Sequence, residues 1–226
     1  RFYAWYGRGA PDAAAVAACA ALAEGVEQLS AERVSKELLK LLAAPDPRPA
    51  VRLMDAAGVL ARVLREPADL TLFEAMTGLS GDAVLRLSAL LPIDPVKVAD
   101  VTRGLRLSNA QRDRLVEAVS GEATTGLTGP QARATLYRDG RQAFEDRVMR
   151  AWAAGGDADG ARGLLALARD WTRPAMPVGG RDLARLGLTP GPETGRALKA
   201  FEDGWIAEDF PDHGHEARLR ALLPPA

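Results

Sequence analysis

The stretch Pro177-Val178-Gly179-Gly180-Arg181-Asp182-Leu183-Ala184-Arg185-Leu186-Gly187-Leu188-Thr189-Pro190-Gly191-Pro192-Glu193-Thr194-Gly195 sets two short helical patterns around a tight corner. Five glycines and three prolines punctuate it, which is turn chemistry between helices. Pro192 stands where a first helical turn tolerates proline, because the N–H it lacks would have had no partner there. The pattern predicts a helix–turn–helix whose second helix opens at Gly191-Pro192. The rest of the chain agrees with it. Isoleucine occurs twice and tyrosine three times, while alanine, leucine and arginine dominate, a composition that favours helix almost throughout.

Start and stop signals recur at short intervals. Asp12 is placed to cap a helix over residues 13–23, and Ser30 to cap the next, on which Val34, Leu38, Leu41 and Leu42 form one apolar face. Pro45-Asp46-Pro47-Arg48-Pro49 is a break, and Gly58 suits a left-handed cap after a helix through Val51 and Met54. Asp94-Pro95 opens another helix, and Ser108-Asn109-Ala110-Gln111 reads as a capping box. Further helices are predicted near residues 131–139, 141–154, 157–171, 181–187, 192–208 and 216–223. The expected fold is all-α: an irregular assembly of consecutive helical subdomains over residues 1–66, 67–125 and 126–226. The last boundary follows from the loop-like window 120–130.

The 226 residues are 47% hydrophobic, enough for a core, and carry a net charge of −1. That balance argues against a strongly basic nucleic-acid binder, so any such contact must come from local patches. Cys19 is the one cysteine, which excludes an internal disulfide framework and a cysteine-rich zinc site. In its alanine-rich run it reads as a small buried residue. No apolar run approaches the roughly 18 residues that span a bilayer, no signal peptide is visible, and a cytoplasmic location is expected. The chain begins on Arg1-Phe2-Tyr3-Ala4-Trp5-Tyr6 without methionine, which reads as a piece of something longer. Those aromatics read as core packing.

Catalytic candidates are few. Gly155-Gly156-Asp157-Ala158-Asp159-Gly160 has no strand beside it, and Asp157 is placed to cap the following helix. His213 and His215 lack a third ligand and read as an exposed loop, so no metal site is expected. Basic patches carry more promise. Arg133, Tyr137 and Arg141 are four apart and share a face if their helix continues past Gly140; an aromatic between two cations suits a phosphate and a base or sugar. Interleaved acids make a solvated, ion-paired face an equal reading. Arg181, Arg185, Arg196 and Lys199 flank the Gly191 corner, where unpaired N–H groups and the helix dipole favour a phosphate.

Three separated segments share a resemblance. Arg1-Phe2-Tyr3-Ala4-Trp5-Tyr6-Gly7, then Leu29-Ser30-Ala31-Glu32-Arg33-Val34-Ser35-Lys36-Glu37-Leu38 with Leu53-Met54-Asp55-Ala56-Ala57-Gly58-Val59-Leu60, then Leu136-Tyr137-Arg138-Asp139-Gly140 with the Gly-Pro corner, resemble the C-terminal portion of class II bacterial tRNA nucleotidyltransferases and poly(A) polymerases. The resemblance implies a neck, body and tail without the catalytic head, which would carry the D-x-D metal site and the E-D-x-x-R that reads the incoming base. It implies that Glu32, Arg33 and Glu37 buttress the nucleotide pocket, although an ordinary ion pair on one helix fits them equally. It further implies that body and tail hold tRNA, for which the patches read above offer Arg133, Tyr137, Arg141, Arg181, Arg185, Gly191, Arg196 and Lys199. No catalytic residue and no cofactor are expected in this stretch; Mg²⁺, CTP and ATP belong with the missing head. The competing expectation is a stand-alone helical scaffold that binds protein.

Overall fold

The computed structural model describes residues 1–223. Among them are fifteen α-helices, one 3-10 helix (Ala23–Gln28) and no strand, the all-α class that the composition predicts. In chain order the helices are α1 (Phe2–Tyr6), α2 (Ala13–Ala21), α3 (Ala31–Leu42), α4 (Arg48–Ala56), α5 (Val59–Leu64), α6 (Leu70–Leu79), α7 (Ala83–Leu90), α8 (Pro95–Gly104), α9 (Asn109–Val119), α10 (Gly129–Asp139), α11 (Arg141–Ala153), α12 (Ala158–Asp170), α13 (Gly180–Arg185), α14 (Pro192–Ala207) and α15 (His215–Ala221).

Side-chain caps fix the starts of α2, α3, α6, α7, α8 and α9 outright. Asp12, Ser30 and Asp69 accept from the N–H groups of Ala15, Arg33 and Leu72 at 2.9, 3.3 and 2.9 Å. Asp82 and Asp94 each take two N–H groups, and Ser108 with Gln111 closes the capping box. Each cap contributes about 1 kcal/mol. At the other end of α4, Gly58 adopts φ 69°, a left-handed conformation that a β-carbon would penalise.

Contacts divide the chain into two units: Arg1–Gly126 with Gln142–Leu165, and Leu127–Arg141 with the residues from Ala166 onward. The first has one continuous core. Leu42 of α3, Val51 of α4, Leu60 and Leu64 of α5, Phe73 and Met76 of α6, Leu87 and Leu90 of α7, Val98 of α8 and Leu115 of α9 all belong to it. Residues on both sides of position 66 share this cluster. Burial of each such side chain stabilises by roughly 1.5–3 kcal/mol.

Arginines hold the helix ends of this unit. Arg86 of α7 is 3% exposed and makes no ion pair among the described residues, although Asp46 and Asp82 are near enough for their charge to be felt. Its Nε donates to the Ser80 carbonyl at 2.6 Å, its Nη1 to Leu42 and Ala44 at 2.6 and 2.7 Å, and its Nη2 to Thr77 at 3.4 Å. Those oxygens lie at the C-terminal ends of α3 and α6, where unsatisfied carbonyls and the helix dipole supply the negative partner. Arg150 of α11 donates in the same way to the Ser88 carbonyl and, at 3.3 Å, to its Oγ, while its Nη2 is buried without a partner. Burial holds both guanidiniums below their ordinary pKa. Arg114 of α9 makes the opposite arrangement. It binds both oxygens of the buried Asp146 on α11 at 2.7 and 3.0 Å, and Asp82 at 2.9 Å, and these carboxylates hold it above its ordinary pKa.

The second unit packs Tyr137, Leu183, Phe201, Trp205, Ile206 and Leu219 together. Trp205 meets Tyr137 and Phe210 edge-on, with ring centroids 5.9 and 5.1 Å apart, and Trp171 lies 5.6 Å from Phe210. After α14 the backbone turns through Asp209 and Phe210, both left-handed at φ 63° and 60°. Arg133 holds Asp209 through two bonds of 2.7 and 2.5 Å, and Trp205 Nε1 donates to the Pro211 carbonyl at 2.9 Å.

Three expectations are corrected. Cys19 is exposed, because α2 has no polar face to separate from an apolar one and buries none of its residues. Of the leading aromatics only Tyr3 and Ala4 beside it pack on the core; Phe2 and Tyr6 are 69% and 71% exposed, and Trp5 is exposed too, with its Nε1 donating to the Lys40 carbonyl at the end of α3 at 2.8 Å. His215 is not in a loop but opens α15, half-buried, with its ring edge-on to Phe201 at 6.2 Å.

Candidate functional site

Helix α3 carries Glu32, Arg33 and Glu37 on its outer side. Glu32 accepts from Arg106 at 2.7 Å, and that hydrogen bond holds its carboxyl below the usual range. Glu37 is paired with Arg1 and, at 3.2 Å, with Lys40, with the same consequence. Arg33 is exposed, and no carboxylate among the described residues pairs with it; Lys36 is in the same condition. Arg33 and Glu37 stand on the rim of a groove of about 320 Å³ whose apolar wall includes Val34, Leu38, Leu41 and Met54. The three residues are therefore on one exposed surface, but Glu32 is turned to the end of α8 and Glu37 to Arg1.

The supposed face of Arg133, Tyr137 and Arg141 is interrupted. Gly140 takes φ 82° and ends α10, so Arg141 opens α11 instead of continuing the row. Arg133 is committed to Asp209. Tyr137 is 5% exposed, and its hydroxyl donates to Glu202 at 3.0 Å. Burial, with Glu202 adding to it, pushes that phenol above its usual pKa. Arg141 donates to the Arg169 carbonyl at 3.5 Å. Over the Tyr137 ring lies a residue that sequence reasoning passed over: the Arg173 guanidinium carbon is 4.4 Å from the ring centroid. Its only sequence signal is an arginine ahead of Pro174, and a 36-residue separation from Tyr137 hides the pairing.

The Gly-Pro corner forms as read, with α13 ending in a left-handed turn and Pro192 opening α14. Thr194 ties it internally, donating from Oγ1 to the Thr189 carbonyl at 3.1 Å. Gly191 itself is extended, a conformation any residue adopts. The cations around it are mostly matched on their own helices: Arg185 with Asp182, Arg196 with Glu193 at 3.1 Å, and Lys199 with Asp203 at 2.7 Å. The Gly179 N–H and then Arg185 hold the Asp182 carboxyl low. Arg181 is exposed, and no carboxylate among the described residues pairs with it.

Asp157 accepts the Gly160 N–H at 2.6 Å at the start of α12, and Asp159 pairs with Arg162 at 2.5 Å. Among the described residues no three His, Cys, Asp or Glu side chains gather in a metal-binding group, and no helix is long and apolar enough to cross a membrane.

Residues 11–70, from just before α2 to the start of α6, match a family described as "Probable RNA and SrmB-binding site of polymerase A". Along an alignment of length 224 that covers 91% of this chain, the sequence is 25% identical to the CCA tRNA nucleotidyltransferase 1, mitochondrial, of Mus musculus. Both matches are to the CCA-adding and poly(A) polymerase family, whose C-terminal portion this chain resembles. It spans about half the length of that mouse relative. The region matched as RNA-binding contains α3 with Glu32, Arg33 and Glu37, and the lining of the adjoining groove apart from Arg1.

Proposed function

We propose that this chain is the RNA-holding portion of a tRNA nucleotidyltransferase that adds C, C and A to tRNA 3′ ends. The observation that carries the reading is the alignment to a CCA-adding relative, which runs through both units of contacts and not only through the 11–70 match. A poly(A) polymerase is the second reading, favoured by the wording of the family description over residues 11–70.

Such a portion grips the sugar–phosphate backbone, which sets the position of the RNA without reading its sequence. The exposed, unpaired cations of α3 and of the second unit are suited to that task. Nucleotidyl transfer itself uses carboxylates that clamp paired metal ions against the phosphates. In this reading the Mg²⁺ ions, CTP and ATP are held by a catalytic part of the parent enzyme, and this chain alone is inactive.

Two measurements test it. The chain should bind an unmodified tRNA transcript in preference to an oligo(A) of equal length, with affinity falling as salt rises. Preference for oligo(A) would favour the poly(A) reading, and no binding to either at low salt would favour a protein-binding scaffold. Incubation with a tRNA lacking its CCA end, labelled CTP or ATP and Mg²⁺ should give no incorporation; turnover above background would refute the assignment of chemistry elsewhere.

A further inference from the structure

We propose that Arg173 is an RNA phosphate anchor, with Tyr137 acting beneath it as a positioning residue and Arg138 as an accompanying cation. The inference rests on the RNA-holding reading above and names the residues by which the second unit would take part in it. Arg173 is exposed, lies over the Tyr137 ring at 4.4 Å, also hydrogen-bonds the Tyr137 hydroxyl, and has no carboxylate partner among the described residues. Most arginines here are matched to acids or carbonyls, so an unmatched guanidinium laid on a buried ring is unusual within this chain. The nearest acid to the ring is already engaged: Glu202 accepts from the Tyr137 hydroxyl at 3.0 Å and faces Lys199 at 3.8 Å.

The ring is a fixed support. Tyr137 is held between Trp205 and Phe210 by contacts of 5.9 and 5.2 Å, inside the core of its unit. A guanidinium resting on an aromatic face loses little by being there, and the N–H groups not spent on the Tyr137 hydroxyl remain for an acceptor at its edge. Arg138, the next residue along α10, is exposed and unpaired and lies close enough to Lys199 for the two charges to repel. Cations gathered without enough acids to match them favour a bound anion. A phosphodiester fits the fork bidentately. Tyr137, expected from the sequence to stack on the RNA, would act instead through the arginine above it.

The test uses the full 226-residue chain and an in vitro tRNA transcript, with affinity measured across a salt series. Arg173→Ala should weaken binding about tenfold and reduce the salt slope by about 1, the signature of one lost phosphate contact. Arg173→Lys should keep the slope, because the charge remains, yet bind less tightly than the unaltered chain, because the fork and the stack are gone. Tyr137→Phe keeps the ring and removes the hydroxyl bond to Arg173, so it should keep the salt slope and weaken binding far less than Arg173→Ala, which separates support by the ring from positioning by the hydroxyl. Unchanged affinity and slope in Arg173→Ala, with the unaltered chain binding tRNA, would overturn this inference and leave the general reading standing. A failure of the unaltered chain to bind tRNA at low salt would overturn both.

Discussion

Arg86 brings a full positive charge into the core of the first unit, with four backbone carbonyls as its hydrogen-bond partners among the described residues. An ion pair in that place would still leave the ends of α3 and α6 unsatisfied, whereas a guanidinium serves both ends at once. Arg86→Met keeps the stem and removes the donors, so buried carbonyls lose their partners. The expected loss is about 3 kcal/mol in urea unfolding, since each orphaned buried group costs about 1–3 kcal/mol. Arg86→Lys should recover less than half of it, because a point ammonium cannot span oxygens that belong to two helices. A change below about 0.5 kcal/mol in Arg86→Met would show that the carbonyls find other partners. Cys19 gives a second test at this scale. Exposed on a helix that buries nothing, it should react with a thiol reagent in the folded chain as fast as after denaturation. Slow labelling that speeds up on unfolding would mean that α2 is covered.

The elements whose ends are local are the ones that could be read in advance. Asp12, Ser30, Asp94 and Ser108 act within three residues of themselves, and the structure places a helix start at each. The corner after α14 was not legible, because it has no glycine: Asp209 and Phe210 take left-handed conformations that their own chemistry disfavours by about 1–2 kcal/mol each. Arg133, 76 residues away, and the Trp205–Phe210 contact hold them there, and neither leaves a pattern in the sequence. The same is true of the candidate site. Spacing found the Gly-Pro corner and α10, but could not show that Arg185, Arg196 and Lys199 are matched by acids on their own helices, nor that Tyr137 is buried. The corner also predicts a pH dependence. The Arg133 hydrogen bond holds the Asp209 carboxyl below its ordinary value. A depressed folded pKa gives stability that is complete above the unfolded value near 4 and is lost as pH falls through the folded one. Asp209→Asn, which tolerates the left-handed backbone, should therefore cost about 1 kcal/mol at pH 7, discounted for partial exposure. Its unfolding curve, followed by tryptophan fluorescence, should converge with that of the unaltered chain in strong acid. A constant gap down to pH 2 would mean that the pair adds nothing.

At the scale of the whole molecule, a net charge of −1 leaves no general attraction for RNA, so binding must depend on how many cations are locally unmatched. In the second unit Arg138, Arg173 and Arg181 are in that condition. With Arg33 and Lys36 of α3, five phosphate contacts give a salt slope of about −4.5, or about 500-fold weaker binding between roughly 50 and 200 mM salt. A much steeper slope would mean that the helix-internal ion pairs open on the RNA and lend it their arginines. The corner allows that alternative to be isolated. Glu193 both occupies Arg196 and puts a negative charge in the first turn of α14, where a phosphate would otherwise be favoured. Glu193→Gln removes both obstacles without touching a buried group. If the corner lies on the RNA path, this variant should bind tRNA about threefold more tightly and with a slope steeper by about 1, since Arg196 then has a counterion to release. An unchanged affinity would place the corner off that path and leave Arg173 and α3 to carry the contact.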